Sequence, residues 1–239
     1  MASTERILSV EDLFVSFNGT PVIDDLSFTL ERGDNLHVIG PNGSGKTVLL
    51  RALLGTVRYS GRITWAPNVR LGYVPQKIDA DRHLPINLGN LLAAKAAITG
   101  APHKGLRGIL RDVGIKPEML RESLGHLSGG QFQKALVAFA LLGKPDVLLL
   151  DEPTASIDEL GEGEIYELLH RLQDAYNLTI VLVSHDLSVV FRYANQVLCL
   201  NKQNVCFGKP TDVLTPQTLA KLYGQGYKFY HHLHDADVG

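Results

Sequence analysis

The chain has 239 residues, 45% hydrophobic and 20% charged, with 23 basic side chains against 25 acidic ones. This is the composition of an ordinary soluble globular protein, enough for one large α/β domain or a core with a small subdomain, and no repeat or low-complexity linker interrupts it. No basic run recommends a nucleic-acid or acidic-lipid surface, and the most apolar stretches, "ALVAFALL" and "TIVLV", are far shorter than the roughly 20 residues a membrane helix needs.

The opening "MASTERILSVEDL" has an acidic residue where a basic region would be needed and no apolar segment, so a secretory signal is not expected. "ILSVEDLFVSF", "PVIDDLSFTL" and "DNLHVIG" read as short strands separated by the turns "NGT" and "ERGD". A helix is expected from about Thr47 to Leu54, and "VRYSGRITWAPNVRLGYVPQ" alternates well enough for two further strands. From Asn87 the text becomes helical in period, broken by Gly and Pro. After Leu127 it runs helix, strand, helix, strand: "QFQKALVAFALL", "DVLLLDEP", "ELGEGEIYELLHRLQDAY", "LTIVLVSHD". Wholly apolar strands alternating with helices signal a buried parallel sheet. The expected fold is therefore an α/β core with a mostly parallel sheet and an antiparallel β flank, with an α-helical insertion near residues 77–140.

Gly40, Pro41, Asn42, Gly43, Ser44, Gly45, Lys46 and Thr47 spell "GPNGSGKT", which matches G-x-x-x-x-G-K-[ST] between an expected strand and an expected helix. Glycines let backbone N–H groups approach phosphates, the lysine neutralises the outer phosphates, and the hydroxyl serves Mg²⁺. By accident this pattern arises in roughly one chain in a hundred of this length. Asp151 ends the apolar strand "VLLLD", where a carboxylate can approach the same metal ion, and Glu152 is a candidate to orient or deprotonate an attacking water. Hydrolysis of a nucleoside triphosphate asks mainly for such positioning and charge stabilisation. Cys199 and Cys206 sit in strand-like text; a disulfide is possible between them, but reduced core cysteines suit a cytosolic, ATP-using chain better.

A second candidate anion loop is "LSGGQ" at Leu127–Gln131, a serine and two glycines entering a helix with no lysine, carboxylate or nucleophile of its own. Taken with "GPNGSGKT", "YVPQ", "LLLDEP", "TASID" and "VSHD", in this order, it resembles the ATP-binding-cassette (ABC) ATPases over nearly the whole chain. The resemblance implies ATP and Mg²⁺ as cofactors. It implies that Gln76 touches Mg²⁺ or the lytic water, that His185 contacts the γ-phosphate, and that Thr47 and Asp151 serve the metal. It further implies that Ser128, Gly129, Gly130 and Gln131 close on ATP held by a second copy, that Asp158 lies on the loop crossing that dimer interface, and that Phe17 stacks on adenine. Each single residue also has a plainer reading: His185 as a helix cap, Gln76 as a polar strand end, Phe17 as a core residue on the face of Leu13 and Val15.

Three positions depart from the family pattern. Val48 stands where a second hydroxyl is usual, and Lys134 and Phe139 stand where arginines are common, so ion pairs are expected to be lost on that helix. "LGYVPQKIDADRHLPINL" and "SHDLSVVFRYANQVLCLNKQNVCFGKP" are similar to the ATPases of zinc, manganese and iron importers. That resemblance implies a polytopic membrane permease as partner, an extracytoplasmic metal-binding protein beyond it, no nucleic acid, and a place on the cytoplasmic face of the cell membrane. The rival is a soluble ABC ATPase acting as a scaffold in iron–sulfur cluster assembly. His231, His232 and His234 in the tail could bind zinc or form a solvated terminus.

Overall fold

Residues 5–76, 86–100, 103–155 and 157–224 are described by the computed structural model; the histidine tail lies outside them. Strand alternation shapes the first elements. β1 (Arg6–Phe17) buries Leu8, Val10, Leu13 and Val15, and β2 (Thr20–Glu31) buries Ile23, Leu26, Phe28 and Leu30. They pair antiparallel through a tight turn at Asn18 and Gly19, both with positive φ. β3 (Asn35–Ile39) is buried throughout and leads through the "GPNGSG" loop into α1 (Lys46–Leu53). β4 (Ser60–Trp65) joins the free edge of β1 to complete a three-stranded antiparallel sheet.

The second sheet has six strands. β5 (Leu71–Val74), β6 (Val147–Asp151), β7 (Thr179–Val183), β8 (Gln196–Asn201) and β9 (Gln203–Gly208) assemble with β3 in the order β5-β6-β7-β3-β8-β9. All neighbours are parallel except the β8–β9 hairpin. The two-residue period of the central strands divides the core. Leu148, Leu150, Ile180 and Leu182 point into one apolar cluster, while Val147, Leu149, Val181 and Val183 point into another, shared with α1 and the antiparallel sheet. This is the α/β architecture expected, with its parallel sheet and antiparallel flank.

Between β5 and β6 run α2 (Leu88–Thr99), α3 (His103–Asp112) and α4 (Gly129–Leu141). Their apolar faces meet α5 (Glu159–Tyr176) and the sheet in the first cluster, through Leu92, Ile109, Leu136 and Leu169. α6 (Leu187–Tyr193), α7 (Pro210–Val213) and α8 (Pro216–Tyr223) close the other side of β8. The substituted positions on α4 find new partners. Lys134 forms an ion pair with Glu164 of α5 at 3.2 Å, so the expected loss of ion pairing does not occur there. Phe139 packs on the helical core and carries the Lys95 ammonium 4.8 Å from its ring centre.

The cysteines also differ from expectation. Cys199 and Cys206 are joined in a disulfide, because the β8–β9 register sets them directly opposite each other with Cα atoms 4.8 Å apart.

β3 carries a buried ionisable group, His37, which is 1% exposed and whose Nδ1 has no partner among the described residues. Burial pushes its pKa from 6.5 down to about 4. The unfolded chain takes up this proton as pH falls through the ordinary value, whereas the folded chain does not until about pH 4. Stability from the neutral ring is thus complete above the ordinary value and is lost on acidification, by about 2 kcal/mol between pH 7 and pH 5. Urea denaturation at the two pH values checks this, and His37→Leu is expected to flatten that part of the dependence.

Candidate functional site

Four adjacent strands, β5, β6, β7 and β3, are parallel, so their C-terminal ends open on one edge of the sheet. Ligands of open α/β sheets bind outside such ends. There the chain delivers Gln76 just after β5, Asp151 and Glu152 at the end of β6, His185 just after β7, and the loop from Gly40 after β3.

The loop offers groups that can receive an anion. α1 starts behind Gly45, at φ 105°, with no side-chain cap and no acidic residue in its first turn, which leaves its leading N–H groups available. The Lys46 ammonium crosses the loop, donating to the carbonyls of Gly40 at 2.9 Å and Pro41 at 3.1 Å. Burial pushes the Lys46 pKa down, and the nearby charges of Glu152 and Asp151 oppose that. Ser44 is 2% exposed, and its hydroxyl has no partner among the described residues. The β8–β9 hairpin forms the wall behind: Lys202 N–H donates to the Ser44 carbonyl at 3.1 Å, and any Cβ on Gly40 would collide with the Leu200 carbonyl.

Facing the loop is the acidic end of β6. The Thr47 hydroxyl donates to Asp151 Oδ1 at 3.1 Å, and Gln76 Nε2 donates to Glu152 Oε2 at 2.6 Å. Asp151 is 3% exposed; burial raises its pKa and the charge of Glu152 adds to that, while the Thr47 hydrogen bond opposes both. Glu152 occupies the left-handed region at φ 45°, a conformation that costs a non-glycine residue about 1 kcal/mol. Its N–H donates to Val183 O at 3.2 Å, and its carbonyl accepts from Ala155 N–H at 3.2 Å.

The remaining candidates divide. His185 is exposed at the end of β7, and the capping role falls instead to Asp186, which accepts from Ser188 N–H at 2.7 Å. Phe17 is 45% exposed although Leu13 and Val15 are fully buried, so it is not a core residue. Asp158 caps α5, accepting from Gly161 N–H at 3.0 Å. Ser128 caps α4 in a reciprocal box: its hydroxyl accepts from Gln131 N–H, and Gln131 Oε1 accepts from Ser128 N–H. Ser128, Gly129 and Gln131 are exposed, and no hydrogen bond among the described residues ties them to the Gly40–Thr47 loop. Sequence reasoning did not single out Lys202, which touches the loop, or Tyr73, which is close enough to Asp151 for that charge to help raise its phenol pKa, after burial. Lys202 has no local motif to mark it, and Tyr73 opens "YVPQ", where only Gln76 was given a role.

A glycine loop crossed by a lysine, facing a threonine–aspartate contact at the ends of parallel strands, defines a P-loop nucleoside triphosphatase. The ABC transporter family profile matches residues 23–155. The chain is 36% identical to the zinc import ATP-binding protein ZnuC of Pseudomonas entomophila (strain L48) over 236 residues, covering 97% of this chain and 90% of that protein. It is 37% identical to the "Probable metal transport system ATP-binding protein" of Thermotoga maritima over 223 residues, covering 91% and 90% of the two chains. Among solved structures, one described as "An inward-facing conformation of a putative metal-chelate type ABC transporter" superposes with a TM-score of 0.82 at 29% identity, covering 92% of this chain and 89% of that one. The chain belongs to the ABC transporter family and is one of its ATP-binding, ATP-hydrolysing cassettes.

Proposed function

We propose that the chain is the ATPase subunit of a transporter that imports a divalent metal ion such as zinc, manganese or iron. The names of the relatives support the metal, and the meeting of Gln76 with Glu152 beside Thr47 and Asp151 supports the chemistry. ATP would lie with its phosphates on the Gly40–Thr47 loop and its adenine against Phe17. The unpartnered Ser44 hydroxyl and the uncapped start of α1 suit that anion. The Thr47 hydroxyl, the Asp151 carboxylate and Gln76 form an oxygen-rich donor set that suits Mg²⁺. The bound ion would supply charge neutralisation of the phosphates.

Glu152 polarises the attacking water, and Gln76 holds its carboxylate in place. His185 contacts the γ-phosphate from the end of β7. Ser128, Gly129, Gly130 and Gln131 act on the ATP of a second copy, arranged head to tail, with Asp158 at the interface. α2, α3 and α4, which lie within the 77–140 insertion, move together as a helical subdomain when the dimer closes. A cytoplasmic helix of a polytopic permease seats in a groove near Gln76, which places the chain on the cytoplasmic face of the membrane; an extracytoplasmic metal-binding protein feeds the permease. No helix among the described residues is long and apolar enough to cross a membrane itself.

The test is to purify the chain with its membrane partner and measure ATP-dependent uptake across a panel of divalent metals. Uptake of zinc, manganese or iron is expected. Recovery with soluble iron–sulfur proteins only, and no polytopic partner, would sink the proposal. A smaller effect is expected at Val48, half-buried on α1 beside Thr47. Val48→Thr restores a hydroxyl at nearly constant volume. A hydrogen bond to a charged group contributes about 1.5 kcal/mol at the low end, so the Kd for ATP should fall at least about tenfold. Titration with a fluorescent ATP analogue reads this directly.

A further inference from the structure

Three buried hydroxyls meet behind the site. Tyr166 of α5 is 5% exposed, and Thr154 and Ser184 are each 2% exposed. The phenol oxygen lies 3.1 Å from Thr154 Oγ1, and the Ser184 hydroxyl is also against it. Thr154 stands two residues after Glu152, and Ser184 immediately precedes His185. Both belong to backbone that sets those side chains. The Thr154 carbonyl accepts from Ile157 N–H at 3.0 Å on the way to Asp158, and Ser184 Oγ accepts from Asp186 N–H at 3.1 Å on the far side of His185.

Packing alone does not call for this hydroxyl. Phenylalanine would fill the same space, and the Tyr166 ring already stacks on Tyr193 of α6 with centroids 6.3 Å apart. A buried hydroxyl costs stability unless it is hydrogen-bonded, so its presence is accounted for by the two segments it joins. Those segments come from the ends of β6 and β7. They are otherwise held together by main-chain bonds such as Glu152 N–H to Val183 O, at a residue in the left-handed region.

We propose that Tyr166 is a positioning residue for ATP hydrolysis, its hydroxyl holding the Glu152 segment and the His185 segment in register. It acts through those two segments, by way of Thr154 and Ser184. The inference rests on the roles given above to Glu152 and His185. Loss of the tie lets the general base and the γ-phosphate contact drift relative to each other, which lowers turnover without removing any group that binds ATP.

The experiment is steady-state ATP hydrolysis by the full chain with its membrane partner, for Tyr166→Phe, Thr154→Val and the double variant, alongside Glu152→Gln. Tyr166→Phe is expected to lower kcat roughly tenfold with KM for ATP within about twofold. Thr154→Val should do the same, and the double variant should be no slower than either, since both remove one tie. A merely structural hydroxyl would instead lower Tm and leave kcat intact below the melting range; that result overturns the inference. Multiplicative losses in the double variant also overturn it. If Tyr166→Phe is fully active while Glu152→Gln is dead, only the inference fails. If Glu152→Gln still hydrolyses ATP, the catalytic reading fails and takes the inference with it.

Discussion

Glu152→Gln is expected to reduce ATP hydrolysis at least a hundredfold and to trap a dimer holding ATP. A positioned general base contributes about 10²–10⁴ in rate, and the amide cannot accept the proton of the attacking water. The substitution is nearly isosteric, so the backbone at φ 45° and its bonds to Val183 and Ala155 need not change. The Gln76 contact at 2.6 Å can persist through the amide oxygen. Removing one negative charge beside the Gly40–Thr47 loop also favours bound ATP, whose phosphates are themselves anionic. Size-exclusion chromatography at saturating ATP checks the second half of the prediction. A variant that stays monomeric there would require the head-to-tail sandwich to be abandoned.

Lys46→Ala is expected to weaken ATP binding at least about thirtyfold and to leave no measurable turnover. Lys46 is 6% exposed and bound to two loop carbonyls, so its ammonium is already confined where phosphates would lie. A charge-assisted hydrogen bond contributes about 1.5–3 kcal/mol, and the lysine can make more than one to the outer phosphates. Removing it also leaves Asp151 and Glu152 facing the phosphates with less positive charge between them. Equilibrium binding of a fluorescent ATP analogue gives the affinity directly, and unchanged affinity would remove Lys46 from the phosphate site.

Much of the fold was legible because its signals are local. The buried runs of β3, β6 and β7 and the alternation of β1 and β2 are each contained in one short segment. The helices announce themselves through caps such as Ser128 with Gln131, and Asp158. The Gly40–Thr47 loop was legible for the same reason, since a cradle of consecutive backbone N–H groups must come from consecutive residues. Other features had no such signal. Whether Cys199 and Cys206 pair depends on the register of the β8–β9 hairpin, and a shift by one residue would separate them. Phe17 follows the alternation of a core face yet is exposed, because the turn at Asn18 and Gly19 ends the sheet there.

Short-range signals along the chain thus supply the inventory: a glycine-rich loop with its lysine, an acidic strand end, a capped glycine pair and a mostly parallel α/β order. Which of these parts meet is settled by long-range packing. Thr47 reaches Asp151 across 104 residues of chain, and Gln76 reaches Glu152 across 76. Strand order makes both contacts, and it is set by the burial of whole sheet faces rather than by any residue at the site. The Tyr166–Thr154 bond has the same origin: α5 must fold back on the sheet before the phenol can find its partner. Local physics writes each part, and the packing of apolar faces brings the parts together.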